Sequence, residues 1–322
     1  MNARHQGAGD VPSIYDGPIV DAHQHFWEPQ GDRLPWLAPQ ARLAFRYGNY
    51  DAIKRPYLPP DLLADAGHHR IVGTVYVEAE WNPKDPIGET RYIHDIASRY
   101  GLPNAVVAQA WLDRDDIDAV LHEQARFALV RSVRHKPGRA STPQDAATQP
   151  SLMRSESWRR GYALLNRYGL HFDLQTPWWH LDDAVLLARD FPETLIVLNH
   201  AGLPSERSEA GLSAWHAAMG RFAEMPNARV KVSGLGQAGR AWRAQDQAWI
   251  VREVIAMFGA PRVMFASNFP VDSLCASYDD IYAGFKSLVA SHTPDQQRAL
   301  FHDTACEVYR IGLPSPLGRP AR

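Results

Sequence analysis

Cysteine is almost missing from this chain of 322 residues; only Cys275 and Cys306 occur. Two thiols make no disulfide framework, and no motif marks either as a nucleophile, so both read as structural thiols of a reducing compartment. Long apolar runs are missing as well. No segment approaches the roughly 18 residues that a membrane-spanning helix needs. The opening stretch MNARHQGAGDVPSIYDG has no apolar core of the kind a secretory signal carries. A charge excess of one sign is also lacking: 34 Lys and Arg stand against 36 Asp and Glu, a net charge of −2. Such a balance offers no basic field to nucleic acid or anionic lipid. There is no G-x-G-x-x-G after the first apolar run and no phosphate-binding loop, and Gly234-Leu235-Gly236 lacks a third glycine. The dinucleotide-binding and NTPase classes are thereby excluded. The expectation is a cytoplasmic protein whose partner is a small molecule, with neither nucleic acid nor membrane involved and its oligomeric state open.

What is present is an alternation. Short runs rich in Val, Ile, Leu and Ala fall at residues 18–22, 71–78, 105–112, 129–133, 171–174, 195–199, 229–233 and 263–266. Strands buried on both faces have this composition. Between them lie segments with apolar residues at helical spacing, at 87–100, 117–124, 157–168, 182–191, 245–258 and 294–309, several of them stopping before Gly or Pro. Eight strand–helix repeats predict an α/β fold, a single (β/α)8 TIM barrel, rather than an open doubly wound sheet. The chain divides into a mobile arm (1–17), the barrel (18–311) and a tail (312–322). Residues 26–60 are rich in Trp, Pro, Tyr and Arg without periodicity, which predicts a long loop after the first strand, lying over the barrel's C-terminal face. Residues 138–150 predict a second, flexible loop.

Three segments can carry chemistry. In Val20-Asp21-Ala22-His23-Gln24-His25, positions two apart on a strand face the same way, so His23 and His25 point into one pocket at a strand end. Two such imidazoles can hold a divalent metal or meet a substrate that forms an oxyanion. In Val197-Leu198-Asn199-His200-Ala201-Gly202, an apolar strand delivers His200 to the rim, where alone it reads as a turn histidine and with the first pair as a third imidazole. In Ala266-Ser267-Asn268-Phe269-Pro270-Val271-Asp272, Asn268 and Asp272 can orient a water or take its proton, or simply form a turn and a helix cap. Other polar residues fall at predicted strand ends: Glu78, Gln109, Arg131, Arg134, His135 and Asp173 for substrate binding, with Lys231 and Ser233 on the seventh strand. An arginine there can clamp a carboxylate, or pair inside the barrel, as Arg131 with Glu78 or Asp173. Trp27 and Trp36 can wall a small-substrate pocket or pack under the loop.

His-x-His on the first strand, His-Ala-Gly on the sixth and Ser-x-x-Pro after the eighth resemble the amidohydrolase superfamily. The run Asp21–Trp27, followed by Leu34-Pro35-Trp36-Leu37, resembles its lactonase branch of sugar-lactone, muconolactone and pyrone-dicarboxylate hydrolases. The resemblance runs from Ile19 to about Ile311. It implies the barrel, a hydrolase opening a cyclic ester in carbohydrate or aromatic catabolism, and His23, His25 and His200 as active-site positions and as ligands of one divalent metal ion such as zinc, which this branch does not always require. The chain departs from the family where Asn268 stands in place of the usual Asp. An amide accepts no proton, so either Asp272 or a histidine is the base, or the chemistry is lost. Two rivals remain: a metal-dependent decarboxylase of an aromatic acid, and a barrel that binds a small molecule without turning it over.

Overall fold

A computed structural model describes residues 13–313. Most of the expected arm and nearly all of the expected tail lie outside the described residues. Eight strands form one parallel sheet in chain order: β1 (Ile19–Gln24), β2 (Ile71–Val77), β3 (Ala105–Gln109), β4 (Val130–His135), β5 (His171–Leu174), β6 (Ile196–Leu198), β7 (Ala228–Val232) and β8 (Val263–Phe265). Every one coincides with an apolar run of the sequence.

The sheet curls until β8 stands beside β1, and both of its faces are apolar. Val20, Ala22, Val75, Val77, Val107, Val197 and Met264 fill the lumen. The opposite faces bury Ile19, Tyr76, Val106, Phe172 and Phe265 under the helices. The seam between β8 and β1 is closed by a buried carboxylate. Asp21 accepts from Ser267 N–H at 2.9 Å, Ser267 Oγ at 2.6 Å and Tyr278 OH at 3.0 Å. Just above it, His25 N–H donates to Phe269 O and Asn268 N–H to His23 O, each at 2.8 Å.

Helices α1 (Pro59–Ala66), α2 (Gly88–Tyr100), α3 (Ile117–Ala125), α4 (Pro143–Ala146), α5 (Glu156–Arg167), α6 (Leu181–Asp190), α7 (Glu209–Ala223), α8 (Ala244–Phe258) and α9 (Tyr278–Leu288) follow the strands. The expected final helix is three pieces, α10 (Pro294–Arg298), a π-type turn (Ala299–Asp303) and α11 (Thr304–Val308). Ala305, Val308, Tyr309 and Ile311 cap the lumen from the N-terminal ends of the strands.

The loop after β1 is ordered by its aromatics. Backbone bonds between Trp27 and Tyr57 pin its two ends together. Trp36 meets Trp27, Phe45 and Tyr50 at ring separations of 5.5–6.0 Å, inside the range where aromatic pairs attract. The loop therefore holds a defined shape over the C-terminal face. Residues 138–150 are not wholly loose either: Ala140 N–H donates to His180 Nε2, and Trp179 Nε1 to Ala140 O.

Candidate active site

His23, His25 and His200 meet at the C-terminal end of the lumen. The pairing of β1 with β2 slips between Asp21 and Gln24. A bulge places successive side chains on one side and turns the strand beyond it. Here Ala22 packs in the lumen and His23 enters it too, 4.5 Å from His200 and 5.2 Å from His25 between ring centroids. His25 Nδ1 donates to Val77 O at 2.7 Å, which fixes the proton on Nδ1 and leaves a lone pair on Nε2.

His200 follows β6 on a left-handed turn: φ is +55° there, +49° at Ala201 and +54° at Leu203. Non-glycine residues in this region carry strain of about 1–3 kcal/mol each and persist only where the surroundings hold them. Trp215 of α7 holds this turn, donating from Nε1 to Ala201 O at 2.7 Å. His200 Nδ1 lies 2.9 Å from Ser233 Oγ. Neither ring nitrogen of His23 has a hydrogen-bond partner among the described residues.

All three imidazoles are buried, and burial is the main cause that holds them neutral. Burial, then Arg134, brings His25 down to about 3. Burial, then His200 and Lys231, puts His23 well below the ordinary imidazole value; burial, then Arg46, does the same for His200.

A cavity of about 300 Å³ opens above them, lined by His25, His200, Asn268, Arg134, Trp27 and Trp36 together with Arg46, Glu80, Lys136 and Gln175. Asn268 has φ +57°, and its Nδ2 donates to Asp272 Oδ1 at 2.6 Å. Asp272 also accepts from Tyr47 OH at 3.0 Å, with Arg46 3.6 Å away. Burial raises its carboxyl above the ordinary value. On the other side Arg134 donates from Nε to Glu78 Oε1 at 2.5 Å and from Nη1 to Gln175 Oε1 at 2.8 Å. Lys136 pairs with Glu80 at the mouth. The turn at 78–80 is clamped: Ala79 N–H donates to the buried Glu89, and Trp36 Nε1 to Ala79 O.

The remaining expected residues lie elsewhere. Gln109 and His135 line an adjoining cavity that also includes Glu78 and Trp36. His135 Nδ1 accepts from Leu112 N–H and Trp158 Nε1. Asp173 lies deep in the lumen, fully buried, accepting from Lys231, Asn199 and Tyr309. Arg131 is not at the rim at all. It is the second residue of β4, so at about 3.3 Å per residue it sits about 10 Å below Arg134. Its Nη1 donates to Ala128 O and Val130 O, beside Arg310 at the opposite end of the barrel. The interior pairs are Arg134 with Glu78 and Lys231 with Asp173, not Arg131 with either. Glu80, at the predicted end of the second strand, and Tyr47, among the loop aromatics, were within reach of sequence reasoning; Arg46, Lys136 and Gln175 had no signal, since each lies on irregular chain whose course depends on what it packs against.

The histidine cluster is compatible with one divalent ion without demanding it. His23 offers two unpartnered buried nitrogens, and His25 and His200 are neutral, as ligands must be. Yet among the described residues the group of three donors with all atoms within 4.8 Å of one another is His68, His69 and Asp279, outside this cavity.

The sequence pattern of the amidohydrolase family matches residues 20–311. The chain belongs to the amidohydrolase family. This amidohydrolase is 35% identical over 297 residues to an uncharacterised protein of Sinorhizobium fredii, covering 92% of this chain and 99% of that one. It is 32% identical over 313 residues to an L-fucono-1,5-lactonase of Burkholderia ambifaria, covering 92% and 97%. It resembles the crystal structure of an amidohydrolase from Burkholderia multivorans with bound zinc, with a TM-score of 0.76, 25% identity and coverage of 92% and 100%. No helix among the described residues is long and apolar enough to cross a membrane.

Proposed function

We propose that this amidohydrolase opens a small lactone by attack of water on the ring carbonyl. The observation that carries the reading is the meeting of His25, His200 and Asn268 at the floor of one aromatic-walled cavity of about 300 Å³. That volume suits a single small ring. The relatives named as lactonases favour hydrolysis over decarboxylation.

His200 faces the cavity, takes the proton of the attacking water on Nε2 and returns it to the ring oxygen as the ring C–O bond breaks, with Nδ1–H held by Ser233 Oγ. Asp272 does not line the cavity. It holds Asn268 in place, and Asn268 presents its amide oxygen to the water. His25, with its lone pair on Nε2, is an acceptor and gives no hydrogen bond to an oxyanion. The negative charge on the carbonyl oxygen is met instead by Arg46, Arg134 and Lys136. A divalent ion, when bound, would be held by His23, His25 and His200, occupying the Nε2 lone pair of His200 in place of its role as base, and would supply Lewis-acid polarisation of the carbonyl.

The test is a pH-indicator screen of sugar lactones and muconolactone-type compounds. Ring opening, seen as acid release, is expected with at least one class. A folded protein silent on every lactone, with and without added zinc, would sink the reading.

A further inference from the structure

Beyond Arg46 lies a second cavity, of about 380 Å³, between the turns after β6 and β7. Arg46 lines both cavities. Gly234, with φ +61°, is the wall between this cavity and the histidines. A Cβ there would stand 2.7 Å from His200 Nδ1 and 2.8 Å from Arg46 Nη2. The second cavity thus begins where the imidazole cluster ends.

Its charge is one-sided. Arg46, Arg207 and Arg240 line it, and no Asp or Glu does. In the first cavity Arg134 has Glu78 and Lys136 has Glu80. Arg46 has Asp272 at 3.6 Å. Arg207 and Arg240 form no ion pair within 4 Å among the described residues. Arg207 is also half-buried and held in place. Its Nη2 donates to Leu235 O and Gln247 Oε1, each at 3.1 Å, while its Nε is buried without a partner. The neighbouring Glu206 turns away and accepts from Ser208 N–H. A guanidinium taken from water without a counter-ion is a cost to the folded state, and the cost is offset when a ligand brings the negative charge. The planar fork of a guanidinium matches a carboxylate with two parallel hydrogen bonds.

We propose that this cavity is a subsite for a carboxylate carried by the substrate, so that the lactone opened is an anionic one. The inference rests on the lactonase reading of the adjoining cavity. With its carboxylate anchored by Arg207 and Arg240, the substrate reaches past Arg46 and lays its ring beside His200.

Isothermal titration with D-glucarate and D-gluconate compares two open-chain acids that differ by one terminal carboxylate. Glucarate is expected to bind about tenfold or more tightly, the size of a charge-assisted hydrogen-bonded pair. That margin should vanish in Arg207→Gln and in the solvent-exposed Arg240→Gln, and persist in Arg131→Gln at the far end of the barrel. In turnover, the kcat/KM ratio of D-glucaro-1,4-lactone to D-galactono-1,4-lactone should fall about 10- to 100-fold in the first two variants, chiefly through KM. Equal binding of the two acids, or a ratio unmoved by both substitutions, overturns the subsite. Glucarate binding that depends on Arg207, with no lactone opened, overturns the lactonase reading and leaves the subsite standing. Turnover of neutral lactones with equal binding of the two acids does the reverse.

Discussion

Asn268 donates from Nδ2 to Asp272 Oδ1 at 2.6 Å, so the amide that lines the cavity is turned by an acid that does not. The carboxyl is already raised by burial, and the Asn268 hydrogen bond is one of the contacts that lower it again.

Asn268→Asp removes that donor and sets a second carboxyl beside the first. Two carboxyls so close share one proton near neutrality, and their titration belongs to the pair. Loss of that shared proton then frees a carboxylate beside the cavity that can take the water's proton in place of His200. The acid limb of kcat/KM is expected to move to higher pH than in the wild type, where burial and Arg46 keep His200 well below the ordinary imidazole value. A pH–rate profile of the two proteins reads this directly. Superimposable limbs would take the carboxyl pair at 268 and 272 out of the titrating machinery.

His200→Ala should lower kcat by about 100-fold or more, the usual size of a positioned base. Ser233→Ala, which frees the ring at Nδ1, should cost about tenfold in kcat with KM little changed. Steady-state kinetics on any accepted lactone decides the matter. An unaltered rate in the first variant takes His200 out of the mechanism.

Chelation should leave most of the lactone turnover in place. His23, His25 and His200 bring no carboxylate to the cluster, and the nearby acids Glu78, Asp173 and Asp272 are each already paired with a cation, so an ion there would have neutral ligands alone. Activity that disappears with a chelator and returns with zinc alone would make the three histidines ligands.

His25 contributes to the acid limit of stability. Its folded-state value of about 3 lies below the unfolded value of about 6.5, so the unfolded chain binds the extra proton across that window. Stability from this residue is therefore intact above pH 6.5 and falls as the pH drops from there toward 3. Between pH 7 and pH 5 the loss is about 2 kcal/mol. His25→Gln should shrink the difference in unfolding free energy between those two pH values by about that amount, measured by urea denaturation. An unchanged difference would mean that His25 is solvated in the folded protein.

Much of the barrel was legible because a strand buried on both faces needs a short apolar run, and such runs, Ala105–Gln109 among them, recur along this chain between helical segments. Even the short β5 and the arginine-interrupted β4 fell where expected. Helices α7 and α9 were passed over, although Trp215, Phe222, Tyr282 and Phe285 bury one face of each. Their glycines and alanines dilute the apolar stripe.

The histidines were legible for the same local reason: a strand end exposes its side chains at one rim, whatever the rest of the chain does. Arg131 shows the limit of that logic, since three residues of strand separate the two ends of a barrel. The sequence by itself determined the eight strands, their order along the chain and the three imidazoles, because each depends on residues next to one another. Only the tertiary structure decided that Arg134 rather than Arg131 takes Glu78, that Asp272 stands behind Asn268, and that Arg46 divides two cavities. Those relations join residues distant in the chain or set on irregular turns, and they depend on how one aromatic loop packs across the barrel mouth.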